Sequence, residues 1–429
     1  MIIDRLKKIW HGVSTPFLIY KEKEFKFSQF NELEYLNLSQ IKKGSVVSII
    51  GDFNLKNILT ILRLIDLGAI IVPLTNETKN DHEYFFKSAL VDYVIKDDLI
   101  TKLTHTNKHD LIEDIRSKND AGLILFSTGT TGKPKAILHN LTSFLKKYNT
   151  PRPAFKTINF LLFDHIGGIN TLFHTLFNKG TVIVPESRTV ETILETCKKY
   201  NVELLPTTPT FLRLMLMSGS IPNKVPKCIK VITYGTERMD QSTLNDISEL
   251  LPNIDLRQTF GMSELGILRV KSESRNSLFM KIGGEGIETR VKNNILEIRS
   301  KSRMLGYLNA PSPFDSDGWY NTRDLVETKD DFIKIVGRDS EVINVGGLKF
   351  LSTDIEKIVL KFPDILFAKV IAKKNPITGE HVELIIQPAN EIFDIEKLKV
   401  YLKKNLQNHM MPRKISLEKI KIGHRFKKN

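Results

Sequence analysis

Short apolar, β-branched runs recur along the first part of the chain, with amphipathic stretches between them. "VVSII" precedes "NLKNILTILRLIDLG", "AIIVPL" precedes "HEYFFKSAL", and "TVIVP" precedes "VETILETCKKY"; further runs stand at "VDYVI", "GLILFS" and "INFLLF". Compact β-branched runs predict buried strands and the stretches of helical period predict helices, so their alternation predicts an α/β body with largely parallel sheets. After Gly261 the texture changes. "GIETRV", "NILEIRS", "WYNTRDLV" and "FIKIV" are short segments between turn residues, which predicts a small antiparallel sheet or barrel. From about Gly337 the pattern is that of a compact α+β unit: a helix at "STDIEKIVLKF", strands at "LFAKVIAKK" and "VELIIQP", and a helix at "DIEKLKVYLKKNL". The expected division is a large body over residues 1–337 and a small domain over 338–429, joined by a short hinge at residues 338–340.

Composition narrows the setting. With 429 residues, 41% apolar and 26% charged, the chain has the make-up of a globular protein of two or three domains. The longest apolar region, "NILTILRLIDLGAIIVPL", is broken by Arg63, Asp66 and Gly68, and no uncharged stretch approaches the roughly 20 residues a bilayer span needs. "MIIDRLKKIW" has no extended apolar core of a signal peptide, so a cytoplasmic location is expected. Cys197 and Cys228 cannot build a disulfide framework, and no His/Cys group has zinc-ligand spacing. The net charge of +14 favours anionic partners such as nucleotides or coenzyme A. Its lysines are scattered in short groups without interleaved aromatics, which argues against a nucleic-acid reader.

The richest chemistry stands at residues 126–139, "FSTGTTGKPKAILH". Ser127, Thr128, Thr130 and Thr131 supply hydroxyls, Gly129 and Gly132 allow close backbone approach, and Lys133 and Lys135 supply cations, the groups that bind phosphate oxygens. A Walker A loop is excluded, because only two residues separate the glycines and Pro134 stands where the Ser/Thr would be. The stretch reads as a phosphate loop of another kind between two strands, or as a polar hairpin.

The loop resembles the signature of the adenylate-forming superfamily: acyl- and aryl-CoA synthetases, nonribosomal-peptide adenylation domains and luciferases. The family's other motifs follow in order. "YGTE" resembles the turn along the adenine, with Gly235, Thr236 and Glu237; "QTFGMSE" resembles the aromatic-Gly-x-Thr-Glu motif, with Phe260, Gly261, Met262, Ser263 and Glu264. "GWYNTRD" resembles the segment whose aspartate, here Asp324, holds the ribose. "VGRDSEVINVGGLKF" resembles the hinge with Arg338 and the pantetheine-facing turn with Gly346, Gly347 and Lys349. "HRFKKN" resembles the end carrying a catalytic lysine, Lys427, with Lys428 the adjacent competitor. The resemblance implies an adenylate-forming enzyme fold: αβ sheets and a β-barrel-like subdomain in the body, then a mobile α+β C-terminal domain. It also implies ATP-dependent conversion of a small-molecule carboxylic acid to acyl-AMP with release of pyrophosphate, then thioester formation with CoA. Mg2+ would take Glu264 as a carboxylate ligand, as a hard cation bound to phosphates requires. A carrier-protein phosphopantetheine as acceptor, amino-acid activation, and a catalytically weakened nucleotide binder remain alternatives.

Substrate class turns on "LLFDHIGGINTLFHTLFNKG". Amino-acid-activating relatives carry a Phe-Asp pair, which Phe163 and Asp164 would match. CoA ligases carry a histidine followed by two glycines, and the spacing from His165 through Gly167 and Gly168 to Gly180 fits that pattern without gaps, so His165 is the expected catalytic match. Two positions depart from the family. Arg323 stands where glycine is usual, so the turn presenting Asp324 is not expected to use positive φ freely; Ser340 stands at the hinge where Asp or Lys is usual.

Overall fold

A computed structural model describes residues 1–127, 132–390 and 392–420. Its body rests on two mixed sheets. In one, Asp255–Gln258, Val231–Tyr234, Leu204–Thr207, Lys156–Ile158, Thr181–Ile183 and Leu18–Tyr20 lie side by side and parallel, and Lys23–Phe25 closes the edge antiparallel. In the other, Val46–Ile50 pairs in parallel with Ile70–Leu74 and Tyr93–Lys96; Gly122–Phe126 extends the parallel run, and Ala136–Asn140 turns back against it. Val46–Ile50 and Ile70–Leu74 are buried at every position. Strands covered on both faces must be apolar throughout, which is why their sequences are continuous rather than alternating.

Helix Leu55–Asp66 shows the same logic. Asn54 caps it by accepting from the Asn57 N–H at 2.8 Å, and Ile58, Leu59, Ile61, Leu62, Leu64 and Ile65 are all buried. Its apolar side packs into a core that joins residues of both sheets, among them Val47, Ile71, Leu18 and Val182. The strand expected at "INFLLF" is shorter than its apolar run. It ends at Ile158, because the Phe160 carbonyl is taken by Arg188 Nε at 2.6 Å instead of by a neighbouring strand. Asn159 N–H still donates to the Ile183 carbonyl at 2.8 Å, and the chain then leaves the sheet as a loop.

Phe260–Met262, Gly266–Ser272, Met280–Gly283, Phe332–Arg338, Tyr320–Lys329, Ile295–Ser300 and Ile287–Lys292 form a third, antiparallel sheet. A fourth, beginning at Val342–Val345, is built entirely from the C-terminal part of the chain and has its own core around Ile355, Leu384 and Leu398. This part is tied to the body by Arg213, which donates to the carbonyls of Leu366 at 2.6 Å and Ile365 at 3.3 Å. Cys197 and Cys228 are free thiols. Among the described residues no helix is long and apolar enough to cross a membrane.

Candidate active site

A cavity of about 330 Å³ opens among the body sheets, the antiparallel sheet and the residues that follow it. Its wall includes Ser127 and Lys135 from the glycine-threonine hairpin, His165, Thr236, residues 261–264, and Arg338 with Ser340. Motifs separated by some 200 positions in sequence thus face one space.

The hairpin is closed at its base. Ser127 N–H donates to the Lys135 carbonyl, Lys135 N–H donates to Ser127 Oγ, both at 3.1 Å, and Gly122–Phe126 pairs with Ala136–Asn140 on either side. Lys135 Nζ stands 4.8 Å from the Tyr307 ring, while Lys133 Nζ lies 5.5 Å from the Tyr84 ring. A Cβ on Gly132 would meet nothing within 4 Å. Thr128, Gly129, Thr130 and Thr131 lie outside the described residues.

Glu264 is held from one side. Its Oε1 accepts from the Tyr307 hydroxyl at 2.8 Å, and Tyr307 is hydrogen-bonded in turn to Tyr320. Burial, reinforced by the Glu264 charge, raises the pKa of both phenols, so both remain protonated. Beneath this motif His139, buried, bonds through Nε2 to the Ser263 carbonyl at 2.6 Å. Burial lowers its pKa to about 4, so the ring is neutral and Nε2–H is the donor. A Cβ on Gly261 would come within 2.6 Å of the Gly266 carbonyl, so the strand turn needs glycine there. Phe260 sits in the core of the antiparallel sheet, and Met262 lines the cavity. Among the described residues no group of three or more His, Cys, Asp or Glu could hold a metal ion. A single cavity-lining carboxylate with one oxygen fixed by Tyr307 has the chemistry to hold a hard cation that brings its other oxygen ligands from phosphate and water.

Asp324 is buried, and its Oδ1 accepts from Arg338 Nε at 3.1 Å. Burial raises its pKa while the neighbouring guanidinium pulls it back down. The preceding turn differs from expectation: Arg323 adopts φ +61°, the left-handed conformation that glycine would take at no cost. The Asn321 side chain accepts from Arg323 N–H at 2.8 Å, and the guanidinium pairs with Asp339 at 3.0 Å, which together hold the arginine there.

His165 is the N-cap of helix Ile166–Phe177. Its Nδ1 accepts from the Gly167 N–H at 3.0 Å, so the neutral ring carries its proton on Nε2. Gly168 allows the helix to start there, since a Cβ would come within 2.0 Å of the Leu162 carbonyl. Asp164 is buried and absent from the cavity wall, whereas His165 lines it.

On the opposite side Gly235 is equally constrained: a Cβ would meet Thr259 Oγ1 at 2.1 Å. Thr236 takes φ +71°. Its hydroxyl and that of Thr207 are buried at the wall without a hydrogen-bond partner among the described residues, leaving two donors for a ligand. Glu237 turns away, accepting from Thr210 N–H at 2.7 Å at the start of helix Pro209–Met217. Gly346 and Gly347, at φ +60° and +89°, form an exposed turn with Lys349 away from this cavity. Lys427 and Lys428 lie outside the described residues.

Tyr307, Tyr320, His139 and Thr207 escape a reading of motifs. Tyr320 stands inside "GWYNTRD", where the resemblance singles out Asp324, and Tyr307 stands in "MLGY", which carries no motif of its own.

A family model described as "AMP-binding enzyme" matches residues 33–293. The 4-coumarate-CoA ligase 1 of Narcissus pseudonarcissus is 27% identical over 342 residues, 71% of this chain; the match spans 62% of that protein, so less than two thirds of its length has a counterpart here. The 2-succinylbenzoate–CoA ligase of Listeria monocytogenes is 23% identical, with 96% of this chain and 94% of that one covered. Among solved structures, ATP-bound MatB from Rhodopseudomonas palustris superposes with a TM-score of 0.80 at 17% identity, covering 99% of this chain and 96% of the other, a likeness of fold.

Proposed function

The chain belongs to the AMP-binding enzyme family, and from that premise we propose that it is an AMP-forming carboxylate–CoA ligase. In the first half-reaction a carboxylate oxygen of the acid attacks the α-phosphorus of ATP, the bond from that phosphorus to the bridging oxygen breaks, and pyrophosphate leaves. In the second, the CoA thiol attacks the acyl carbon, AMP departs, and the thiol proton passes to solvent. The observation that carries this reading is the convergence of the hairpin base, Glu264, Arg338 and His165 on one cavity, with Arg338 bonded to the buried Asp324.

Each group has a task suited to its chemistry. The hairpin hydroxyls and Lys135 receive the phosphates, and Ser263 donates to the α-phosphate. Magnesium, when bound with ATP, neutralises phosphate charge, and Glu264 would be its protein ligand. The Tyr307 hydroxyl fixes that carboxylate. Asp324 has two acceptor oxygens for a ribose diol, one of them shared with Arg338. The Thr236 hydroxyl is offered to the nucleotide, and His165 stands on the wall toward the reacting carboxylate. Lys427 stabilises the charge that develops on the transferring oxygens, and rotation of residues 338–429 about the hinge then brings Gly346, Gly347 and Lys349 toward the thiol.

The test is mass spectrometry of products after incubation with magnesium-ATP and a panel of fatty, aromatic, hydroxy and amino acids, with and without CoA. An acyl-AMP that becomes acyl-CoA on addition of CoA is the expected result. An adenylate that persists with CoA redirects the second step to a carrier-protein phosphopantetheine, and no adenylate from any acid refutes the proposal.

A further inference from the structure

Helix Ile166–Phe177 gives the cavity wall Gly167, Asn170 and Thr171, whose spacing of three and four residues puts them on one face. Hydrogen bonds within the protein decide what the two polar residues there still offer. Lys147 Nζ lies 2.6 Å from Asn170 Oδ1, and the Tyr148 hydroxyl lies 3.0 Å from the same atom. An ammonium has donors only, so the atom it meets is the amide oxygen. Neither Lys147 nor Tyr148 lines the cavity, so that oxygen is taken up by the neighbouring turn Leu145–Asn149. Nδ2, with two N–H donors and no acceptor among the described residues, is the end of Asn170 left for a ligand. Thr171 is fixed the opposite way. Its hydroxyl donates to the Gly167 carbonyl at 2.8 Å, which commits its one proton and leaves Oγ1 able only to accept.

The face thus pairs a donor with an acceptor, and it does so beside His165, whose Nδ1 lies 3.0 Å from where a Cβ on Gly167 would stand. A keto or carboxylate oxygen meets only the donor, an ammonium meets only the acceptor, and an alkyl chain meets neither. A hydroxyl accepts and donates, so one such group answers both. Leu161, Ile166 and Ile267 on the same wall supply apolar surface for a carbon skeleton. A plain hydrocarbon acid that displaced water here would leave Nδ2 and Oγ1 without partners, and an unmade bond costs more than a made one gains.

We propose that the acid is a hydroxy acid, its hydroxyl accepting from Asn170 Nδ2 and donating to Thr171 Oγ1. The inference rests on the ligase reading above and names the substrate class of that site.

The experiment measures pyrophosphate release and thioester formation by the full chain with magnesium-ATP and CoA. The acids are the straight-chain acids of three to eight carbons, each beside its hydroxy and oxo derivatives, and benzoate beside the hydroxybenzoates. At the best-fitting position the hydroxy acid should exceed its parent by about 10- to 100-fold in kcat/KM, expressed mainly in KM, because two hydrogen bonds are made in one case and left unmade in the other. Thr171→Val and Asn170→Leu should each bring that ratio toward one without changing KM for ATP, and Thr171→Ser should keep most of it. Thr171→Val is the decisive variant, since it nearly preserves shape and leaves the Lys147–Asn170 contact in place. A parent or oxo acid used as well as its hydroxy derivative, a ratio that survives Thr171→Val, or a loss that falls on KM for ATP with every acid alike overturns the inference and leaves the ligase reading standing. No adenylate from any acid, in this series or the wider panel, overturns both.

Discussion

Gly168→Ala isolates the part of the site that packing alone holds in place. A Cβ at this position would lie 2.0 Å from the Leu162 carbonyl oxygen and 2.7 Å from that of Leu161, where ordinary van der Waals contact begins near 3.4 Å. The obstacle is main chain, so the clash cannot be relieved by a rotamer change. Either the loop or the helix start must retreat by about 1.4 Å, and His165, three residues earlier and bonded to Gly167 N–H, moves with it. Overpacking of this kind costs about 1 to 3 kcal/mol of stability. A misplacement of about 1 Å costs on the order of a hundredfold in rate when the moved group orients a reactant. Gly167→Ala acts differently: its Cβ would meet the flexible end of Leu161 at 2.8 Å and His165 Nδ1 at 3.0 Å, so it presses on the histidine ring and not on main chain. Adenylate formation followed by pyrophosphate release, with thermal melting of both variants, reads the two effects separately. A Gly168→Ala protein with wild-type melting and wild-type kcat/KM refutes the argument.

Three further outcomes follow from other features. His139 has a folded pKa of about 4 against an unfolded value near 6.5, so the unfolded chain binds the proton first. Stability present above pH 6.5 is therefore lost as pH falls toward 4, by up to about 3 kcal/mol. Urea midpoints at pH 7 and pH 5 should fall further for the wild type than for His139→Gln, and equal falls would remove the histidine from the account. At Arg323, Ala keeps the left-handed strain and loses the Asp339 pair, whereas Gly relieves about 1 to 2 kcal/mol of strain at an unfolded-state entropy cost of about 0.4 to 1 kcal/mol. Gly should therefore melt above Ala, and the reverse order would show that the turn is unstrained. Lys427→Ala should nearly abolish adenylate formation while sparing thioester formation from supplied acyl-AMP; equal loss of both half-reactions would deny it a role confined to the first.

The fold was legible because its strands are buried on both faces. Val46–Ile50 and Ile70–Leu74 need continuous apolar runs, and such runs stand out against amphipathic helices. "INFLLF" misled for the same reason, since apolarity reports burial and not pairing. Only Lys156–Ile158 has a ladder, and the residues that follow are buried as a loop. Arg323 exposes a different limit. Glycine is the residue that takes positive φ freely, yet local hydrogen bonds and one ion pair hold an arginine at φ +61°.

The two ends of the cavity were unequally readable, and the reason is physical. Glycines in short motifs are fixed by what cannot fit: a Cβ on Gly235 or Gly261 would strike Thr259 or Gly266, so their packing keeps them in order. Contacts between side chains depend instead on how separate elements pack. Lys147 and Asn170 are 23 residues apart and meet only because the turn Leu145–Asn149 lies against helix Ile166–Phe177. No spacing rule links them. Tyr307 and Glu264 are likewise joined across 43 positions, through a short strand that pairs with Ala136–Asn140. The strand that begins after the phosphate hairpin thus also anchors, through Tyr307, the carboxylate assigned to magnesium, and through His139, the Ser263 carbonyl beside it. The hairpin and the acidic motif are therefore linked physically through one shared strand, although neither sequence contains the other's residues.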